Sequence, residues 1–525
     1  MAKKPSFMLS VITIVCSQLL VKLLGFAYRT IITNIDGFGD LGNGYYNYGF
    51  QIYTLLLAVS SVGIPNAIAK LVSEKDAVND FRGAMRIFKV ALVVFTVIGG
   101  ALSCLLYFGA EFVANVILVT PPAVYTIRVL APSILFVSVA SVIRGFFAGQ
   151  QNMNATGSAQ VMEQFLKSSL TILIVISMTG KSAEYMAAGA TLVSLLYLWI
   201  FTAAHRKDIK RRIMVSVNSA PQKFSVIAKA ILAVSIPISL SSIISSLNRV
   251  VDTMTVVRGL ETAFRGILPD AMLNENAVTL SGMLSKGDVI INLPLALNFA
   301  LSAALVPAIA AAMVRREHDS AARKISLSLL VSIVVALPAA AGCAVLSKQI
   351  FALIYPNAPL GFDLFAMSAV TIFFSAVAQT TYGSLQGIGR IFIPAISVLM
   401  GGMVKVLLNL ILIPLPAVNI YGAPISSIAC QCVACTFSVI MLRRSIAVPF
   451  DFVRFFLKPL LATGIMSACV FAAYKGANLV FSGAVATLAA ILVGVVVYCM
   501  AIVKLRTFTR DELMTIPLIK KFIKP

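Results

Sequence analysis

The chain has 525 residues, of which 59% are hydrophobic and only 12% are charged, and its mean hydropathy is +0.95. This composition excludes a soluble globular domain and a disordered chain, and it is typical of an integral membrane protein. The net charge of +22 would suit nucleic-acid binding, but the distribution of the cations along the chain argues against it.

Long apolar runs recur along the whole chain. The first run follows Lys3 and Lys4 and has no small-residue cleavage site nearby, so it predicts a retained span and not a signal peptide. Taking about 20 apolar residues per membrane-spanning helix, we predict an all-α integral membrane protein with about fourteen transmembrane helices. The predicted spans are residues 8–34, 45–70, 86–108, 123–147, 156–180, 184–204, 226–257, 287–313, 326–347, 364–386, 392–415, 420–442, 456–475 and 479–503.

The positive charges between these spans predict the orientation in the membrane. The tails and loops on the side of the N-terminus hold 30 of the 42 Lys and Arg, and the opposite loops hold six. Positively charged loops stay in the cytoplasm, so both termini are predicted to be cytoplasmic. The basic pI then reflects topology and attraction to anionic lipid headgroups, and no nucleic-acid partner is expected.

Two pairs of segments indicate an internal duplication. Residues 51–72 resemble 295–314 at an offset of 242, and residues 144–167 resemble 382–405 at an offset of 238. Two nearly equal offsets predict two pseudo-symmetric six-helix lobes in the same orientation, with binding between the lobes near the midplane of the membrane. The predicted domains are an N-lobe at 1–204, a cytoplasmic linker at 205–225, a C-lobe at 226–442, and two further helices with a cytoplasmic tail at 443–525.

The first span carries a polar stripe. Gln18, Lys22, Gly25 and Arg29 are spaced so that they share one helix face. A cation at the centre of a span costs roughly 2.5 to 3.5 kcal/mol on insertion scales. The stripe therefore predicts a hydrated cavity, although Arg29 near the end of the span is also suited to snorkelling to the interface.

Other charges within or beside the spans have two interpretations each. Asn248, Arg249 and Asp252 lie in the seventh span, where Arg249 and Asp252 form either a structural pair or, through Asp252, a coupling site for transport. Lys286 opens the predicted eighth span and is either a third site cation or a solvated loop charge beside Asp288.

The remaining intramembrane charges favour structural roles. Glu163 and Lys167 are spaced for an intrahelical pair, and Arg128 is suited to the interface. More than three residues from the ends of the predicted spans there are six Lys or Arg but only two acids, so the membrane interior has an excess of positive charge. Such an excess suits an anionic cargo.

No motif predicts catalysis or a metal site. Cys430, Cys432 and Cys435 form C-x-C-x2-C, but they lie inside an apolar helix, and His205 and His318 are in cytoplasmic loops. We interpret the cysteines as buried thiols. No D-x-D or H-E-x-x-H cluster is present, so we expect a transporter and no enzyme, without a metal or cofactor. Coupling to an ion gradient or to the membrane potential stays open.

Several motifs resemble a known family. LLGFAYR, GNGYYNYGFQIYTLLLAVSSVGIPNAIAKLVSE, FRGAMRIFK and LQGIGRIFIPAISVLMGGMVKVLLN are similar to motifs of the MurJ and stage V sporulation protein B type of lipid-linked oligosaccharide flippase. That family belongs to the multidrug/oligosaccharidyl-lipid/polysaccharide exporter superfamily. The resemblance implies fourteen helices in two lobes, alternating access, and movement of an undecaprenyl-diphosphate-linked sugar from the inner to the outer leaflet.

The resemblance also implies site residues. Arg29 matches the arginine after the family's GFA motif, with Tyr28 inserted before it, and Lys22 and Lys286 lie near two further basic positions. AVSSVGIP lacks an arginine that some relatives have, so the lysines would share its role. An arginine binds a diphosphate bidentately and a lysine acts as a point charge. Side chains predicted to line the central cavity for the diphosphate and the sugar are Gln18, Lys22, Arg29, Asn47, Gln51, Asn248, Arg249, Lys286 and Asn298.

The expected partners are a lipid-linked anionic oligosaccharide, such as the peptidoglycan precursor lipid II, and membrane lipids, and we expect a monomer. Two alternatives remain. A flippase for teichoic-acid or polysaccharide repeat units has the same sequence features, and a cation-coupled multidrug exporter belongs to the same superfamily. The excess of intramembrane cations disfavours the exporter because its organic-cation cargo requires an acidic or neutral cavity.

Overall fold

The computed structural model describes residues 7–59, 63–77, 80–150, 153–181, 223–479 and 482–508. Within these ranges the chain is helical apart from turns and short connections, and no β-strand forms. A helix pairs its own backbone N–H and C=O groups, which hydrocarbon cannot hydrogen-bond, so apolar segments of this length adopt helices. The predicted all-α fold is confirmed.

Sixteen α-helices of seven or more residues lie in the described ranges. They are α1 (Phe7–Thr33), α2 (Gly39–Leu57), α3 (Ile64–Ala77), α4 (Phe81–Phe108), α5 (Ala123–Gly149), α6 (Met153–Ser177), α7 (Phe224–Phe264), α8 (Asp270–Val314), α9 (His318–Val345), α10 (Ser347–Ile354), α11 (Phe362–Ser368), α12 (Thr371–Gly387), α13 (Ile393–Leu412), α14 (Gly422–Ser445), α15 (Lys458–Ala477) and α16 (Gly483–Lys504). Short helical turns add Ala110–Phe112, Val113–Ile117, Asn419–Tyr421 and Val453–Leu457.

The helices agree with a multi-pass membrane protein. Among the described residues, eight helical segments are long and apolar enough to cross a membrane by themselves: Phe81–Phe108, Ala123–Gly149, His318–Val345, Phe362–Gly387, Ile393–Leu412, Asn419–Ser445, Val453–Ala477 and Gly483–Lys504. Thirteen of the fourteen predicted spans overlap a described helix. The predicted sixth span at 184–204 and nearly all of the predicted linker at 205–225 lie outside the described residues.

Two helices are described within the predicted second span, one on each side of residues 60–62, which lie outside the described residues. Helix α2 ends at Leu57 and α3 begins at Ile64, with Pro65 in the first turn of α3, where its missing N–H costs no helical hydrogen bond. The Gly63 N–H donates to Ser239 Oγ at 3.1 Å, and a Cβ at Gly63 would clash with the Ser235 carbonyl oxygen. The close approach of α7 therefore requires glycine at the bend that directly precedes α3.

Helix α8 begins earlier than the apolar run that predicted it. It starts at Asp270, although the eighth span was predicted from residue 287. Its added turns are held by Asn274, whose Nδ2 donates to Glu261 Oε1 at 2.7 Å and also to the Val119 carbonyl. Tertiary hydrogen bonds thus extend the helix through polar sequence, and Lys286 lies inside the helix and not at its start.

Two compact units make up the chain. The first comprises Met1–Ser285 and Val406–Gly422, and the second comprises Lys286–Lys405 and Ala423–Pro525. The predicted domain boundaries come from the sequence repeat and stay a prediction.

In the first unit, α5 is the central helix. It packs against α2, α3 and α4, while α1 packs against α6, and α7 packs against α2, α3 and α4. The buried core between these helices includes Ile68, Phe95, Phe146 and Ile231. The ring of Phe88 lies 4.9 Å from that of Phe146, centroid to centroid.

In the second unit, α9 has the central position. It packs against α12 and α15, and α15 packs against α16. One core forms around Ile309, Ile325, Leu330 and Leu385. The C-terminal pair of helices has its own core, and the Tyr498 hydroxyl of α16 donates to the Val334 carbonyl at 2.7 Å.

Equivalent glycines of the predicted repeat make equivalent contacts in each unit. Gly145 on α5 lies against α3, where an added Cβ would be 2.8 Å from Pro65 Cα. Its repeat counterpart Gly383 on α12 lies against α8, where an added Cβ would be 2.8 Å from the Ser302 carbonyl oxygen. Small residues let membrane helices approach closely, because packing replaces the hydrophobic effect between helices in lipid. Each repeat half therefore uses glycine for the same helix contact.

This contact gives a stability prediction. We expect Gly145→Ala to destabilise the protein by about 1 to 3 kcal/mol, because the methyl group overpacks a rigid proline backbone. Gly100→Ala is the matched control, since its Cβ would have only Leu135 Cδ1 within reach, at 3.9 Å. Thermal unfolding of the purified protein in detergent checks this. Equal unfolding midpoints for the two variants would contradict the close contact.

Candidate functional site

The predicted polar stripe of α1 divides into an exposed part and a buried part. Lys22 is exposed, whereas Arg29 is only 8% exposed. Between them, Gly25 faces α6, where an added Cβ would lie 3.6 Å from Gln164 Nε2. The side chain of Gln18 lies outside the described residues. Lys22 and Arg29 therefore differ in their surroundings, although they share one face of α1.

Arg29 stacks on an aromatic ring of α2. Its Cζ lies 4.3 Å from the ring centroid of Tyr46, a distance typical of a cation–π interaction. The hydroxyl of Tyr46 lies 3.0 Å from that of Tyr28, so the residue before Arg29 also contacts this ring. The carbonyl oxygen of Arg29 accepts a hydrogen bond from Thr33 Oγ1 at 2.8 Å, which is a local helix contact. Arg29 is thus held inside the first unit.

A second cation lies beside the same aromatic side chains. Lys167 on α6 places Nζ 5.4 Å from the ring centroid of Phe50, and the rings of Phe50 and Tyr46 stack with centroids 5.9 Å apart. Both Arg29 and Lys167 act electrostatically on Tyr28. We call Tyr28, Arg29, Tyr46, Phe50 and Lys167 the cation–aromatic cluster.

No described acid neutralises this cluster. The described ion pairs Lys75–Asp80 and Arg128–Glu111 do not involve Arg29 or Lys167. The side chain of Glu163, the predicted partner of Lys167, lies outside the described residues. The Nε of Arg29 is buried and has no hydrogen-bond partner. A buried donor without a partner is costly, and an anion entering the cluster would satisfy it.

Two polar residues of α2 follow Tyr46, the ring on which Arg29 stacks, by one and five residues. Asn47 and Gln51 are half-buried, and Gln51 Nε2 lies 3.4 Å from Asn47 Oδ1. This hydrogen bond is long, so both amides can exchange it for another partner at little cost. They remain candidates for sugar hydroxyls.

The charged residues Arg249 and Asp252 of α7 form hydrogen bonds with neighbouring side chains. Arg249 is exposed, and its guanidinium donates to Ser245 Oγ at 3.2 Å and to Ser246 Oγ at 2.8 Å, both on the same helix. Asp252 Oδ1 instead accepts from Asn409 Nδ2 at 2.8 Å. Asn248, beside Arg249, is half-buried. Arg249 and Asp252 therefore have different hydrogen-bond partners.

Lys286 belongs to the second unit and is fully buried, with 0% of its surface exposed. Its ammonium donates to the carbonyl oxygens of Ala358 at 2.6 Å and Leu360 at 2.9 Å. The same nitrogen lies 5.5 Å from the ring centroid of Phe351 and 5.4 Å from that of Tyr355. These contacts tie α8 to the segment between α10 and α11, so the surroundings of Lys286 favour a structural role.

Asn298, also in the second unit, is buried and donates to the Ala376 carbonyl at 2.6 Å, so its amide joins α8 to α12.

Sequence reasoning did not select Lys167, Tyr46 or Phe50 as site residues. Lys167 was interpreted as the partner of Glu163, although its repeat counterpart Lys405 also lies within a span. Tyr46 and Phe50 belong to the motif GNGYYNYGF, whose aromatic residues are spaced one helical turn apart. The spacing of Tyr46 and Phe50, together with the intramembrane cations Arg29 and Lys167, is the sequence feature that could have indicated the cluster.

The described residues contain no group of three or more His, Cys, Asp or Glu side chains able to hold a metal ion. Cys430, Cys432 and Cys435 of α14 form no disulfide bond. The donors and aromatic rings near Arg29 suit an anion and not a metal cation.

Comparisons with known proteins agree with this architecture. Stage V sporulation protein B of Bacillus subtilis (strain 168) is 26% identical to this chain over 99% of each protein. The protein named lipid II flippase MurJ of the same organism is 24% identical over 77% of each. The resemblance predicted from the sequence motifs is confirmed.

A solved structure shares the fold. Lipid II flippase MurJ in an inward closed conformation aligns with a TM-score of 0.69 at 16% identity, covering 95% of this chain and 99% of that one. The profile of the family described as polysaccharide biosynthesis protein matches residues 8–313, more than half of the chain. The chain is therefore a multi-pass membrane protein of the polysaccharide biosynthesis protein family.

Proposed function

We propose that the protein is a flippase that moves an undecaprenyl-diphosphate-linked sugar, the peptidoglycan precursor lipid II, from the inner to the outer leaflet by alternating access. The observation that carries this proposal is the cation–aromatic cluster. Its two cations have no described acidic partner, and the Nε of Arg29 is buried without a hydrogen bond. An anionic headgroup would supply both the missing charge and the missing acceptor.

The chemistry of a diphosphate fits these side chains. Its oxygens accept two parallel hydrogen bonds from a guanidinium, and a nearby ammonium adds charge without demanding a fixed direction. Tyr46 holds the guanidinium plane by stacking at 4.3 Å, which lowers the entropy lost when the anion binds. The positive site also disfavours organic cations, which a multidrug exporter of this superfamily would carry.

The negative charge of the cargo would offset the repulsion between the two cations of the site. Two cations close together repel each other, and an anion between them removes that repulsion. A conformation that brings further groups around the site is then stabilised only when cargo is present, which couples movement to occupancy. We propose that the protein acts as a transporter without enzymatic chemistry, as a monomer, with both termini in the cytoplasm of a bacterial plasma membrane. Asp252, held by Asn409, is the proposed coupling residue if an ion gradient drives the cycle.

Depletion in cells tests the proposed cargo. In a strain without another lipid II flippase, loss of this protein is expected to trap lipid II in the inner leaflet, measured with a leaflet-resolved lipid II assay. Normal arrival of lipid II in the outer leaflet would refute the lipid II assignment. Accumulation of a different undecaprenyl-linked unit on the inner side would instead identify a teichoic-acid or polysaccharide flippase.

The proposal gives a direct test of Lys167. We expect Lys167→Gln to weaken binding of an undecaprenyl diphosphate lipid about tenfold, since a hydrogen bond to a charged group contributes about 1.5 to 3 kcal/mol. Lys229→Gln, which removes an exposed lysine of α7, is the control. Native mass spectrometry of the purified protein measures both. If the two variants bind the lipid equally well, Lys167 is not part of the site.

A further inference from the structure

The second unit contains a cavity far along the chain from the cation–aromatic cluster. It has a volume of about 680 Å³ and is bounded by the first turns of α9 and by the segment that leads into α15. Its charged lining side chains are Arg323, Lys324, Arg454 and Asp451. The apolar lining is formed by Leu327, Pro449, Phe450 and Phe455.

The cavity has a positive balance. Asp451 is its single acidic lining residue, and one carboxylate oxygen already accepts from the backbone N–H groups of Val453 at 3.0 Å and Arg454 at 3.5 Å. This carboxylate therefore caps the helical turn Val453–Leu457. Three basic side chains line the cavity, and one of them, Lys324, donates from Nζ to the Ala308 carbonyl at 3.3 Å.

Hydrogen bonds between chain segments shape the walls. Ser326 Oγ on α9 donates to the Pro449 carbonyl at 2.9 Å, which joins the two sides of the cavity. Arg454 Nε donates to the Thr507 carbonyl at 2.8 Å, and this hydrogen bond restrains the guanidinium. Arg323 and Lys324 are exposed at the opposite wall. The cavity is thus built by long-range contacts and is not a chance gap between mobile side chains.

The position of the cavity indicates a lipid as the occupant. His318–Val345 and Val453–Ala477 are both helices able to cross a membrane, and the cavity lies at the beginning of each. It therefore lies where hydrocarbon meets water. Phe450, Phe452 and Leu457 are 44%, 61% and 41% exposed at this level, so apolar surface adjoins the basic side chains. Basic pockets between membrane helices bind anionic lipid headgroups.

We propose that this cavity binds the headgroup of an anionic glycerophospholipid, with the phosphate held by Arg323, Lys324 and Arg454 and an acyl chain along the exposed phenylalanines. On the proposed topology the cavity faces the cytoplasmic leaflet. The site is distinct from the proposed cargo site and does not depend on the identity of the cargo. The resident lipid ties α9 to the start of α15 through one shared phosphate.

Lipid retention tests this proposal. The full-length protein is reconstituted in nanodiscs that contain phosphatidylglycerol and phosphatidylcholine with identical acyl chains, and retained lipid is measured by native mass spectrometry. We expect the wild-type protein to retain phosphatidylglycerol preferentially. The double variant Arg323→Gln/Lys324→Gln is expected to lose about tenfold in affinity for it. Because both side chains are exposed, the variant keeps the unfolding midpoint of the wild type.

The matched control removes two other exposed cations. Lys70→Gln/Lys89→Gln, on α3 and α4, is expected to retain the lipid as the wild type does. An equal loss in this control would show general attraction to the membrane and overturn the site. Unchanged retention in the Arg323→Gln/Lys324→Gln variant would also overturn it. Displacement of phosphatidylglycerol by equimolar glycerol phosphate would identify a site for soluble phosphate compounds and refute the lipid.

Discussion

We expect Arg29→Gln to abolish transport while leaving the protein at least as stable as the wild type. The guanidinium is buried, has no described ion-pair partner and keeps an unsatisfied Nε. Removing a buried charge that has no ion-pair partner relieves a desolvation penalty, which in real proteins is several kcal/mol per ion before partners offset it. The same change removes charge-assisted hydrogen bonds to the cargo, so affinity for an undecaprenyl diphosphate lipid is expected to fall about 10- to 100-fold.

Two measurements separate these effects. Native mass spectrometry gives the lipid affinity, and thermal unfolding in detergent gives the stability. Arg29→Lys restores the charge but not the planar fork, so its affinity is expected to lie between those of the wild type and Arg29→Gln. Arg128→Gln is the control, since Arg128 forms an exposed ion pair with Glu111. Full lipid affinity in Arg29→Gln would remove Arg29 from the site.

Lys286→Met is expected to have the opposite signature. The substitution keeps much of the side-chain volume but leaves the Ala358 and Leu360 carbonyls without their ammonium donor in a fully buried position. A buried carbonyl left without its donor costs about 1 to 3 kcal/mol. We therefore expect a lower unfolding midpoint, with transport lost through reduced levels of folded protein.

The control for Lys286 is another lysine near an aromatic ring. Lys348 is exposed and lies 5.9 Å from the ring centroid of Phe362, so Lys348→Met removes a similar cation–π contact without leaving a buried carbonyl unpaired. We expect its unfolding midpoint to match the wild type. If Lys286→Met unfolds normally and yet binds no diphosphate lipid, Lys286 contacts the cargo directly, as the family resemblance implied.

The contrast between Arg29 and Lys286 depends on their partners and not on their burial. Both cations are buried, but Lys286 donates to two carbonyl oxygens, whereas Arg29 stacks on a ring and retains an unsatisfied nitrogen. A cation with its donors satisfied stabilises the apo protein, whereas the unsatisfied Nε of Arg29 keeps one donor for a ligand. Protein stability therefore distinguishes the two roles experimentally.

Three features could be predicted from the amino-acid sequence: the membrane class, the predominance of helices and the position of Arg29 on the first span. These features follow from local composition and helical periodicity, because about 20 apolar residues in a row have few alternatives to a spanning helix. The sequence repeat also aligns Gly145 with Gly383, and both glycines lie in close helix contacts. Orientation, cargo and the predicted lobe boundaries rest on sequence alone and stay predictions.

The partners of the intramembrane cations became known from the folded structure. Lys286 is far in sequence from Ala358 and Leu360, and Lys167 is far from Phe50, so no local pattern could relate them. The need for glycine at the Gly63 bend likewise follows from the close approach of α7, which the apolar run alone does not predict. Side-chain partners across helices are set by packing geometry, which periodicity within one helix does not contain.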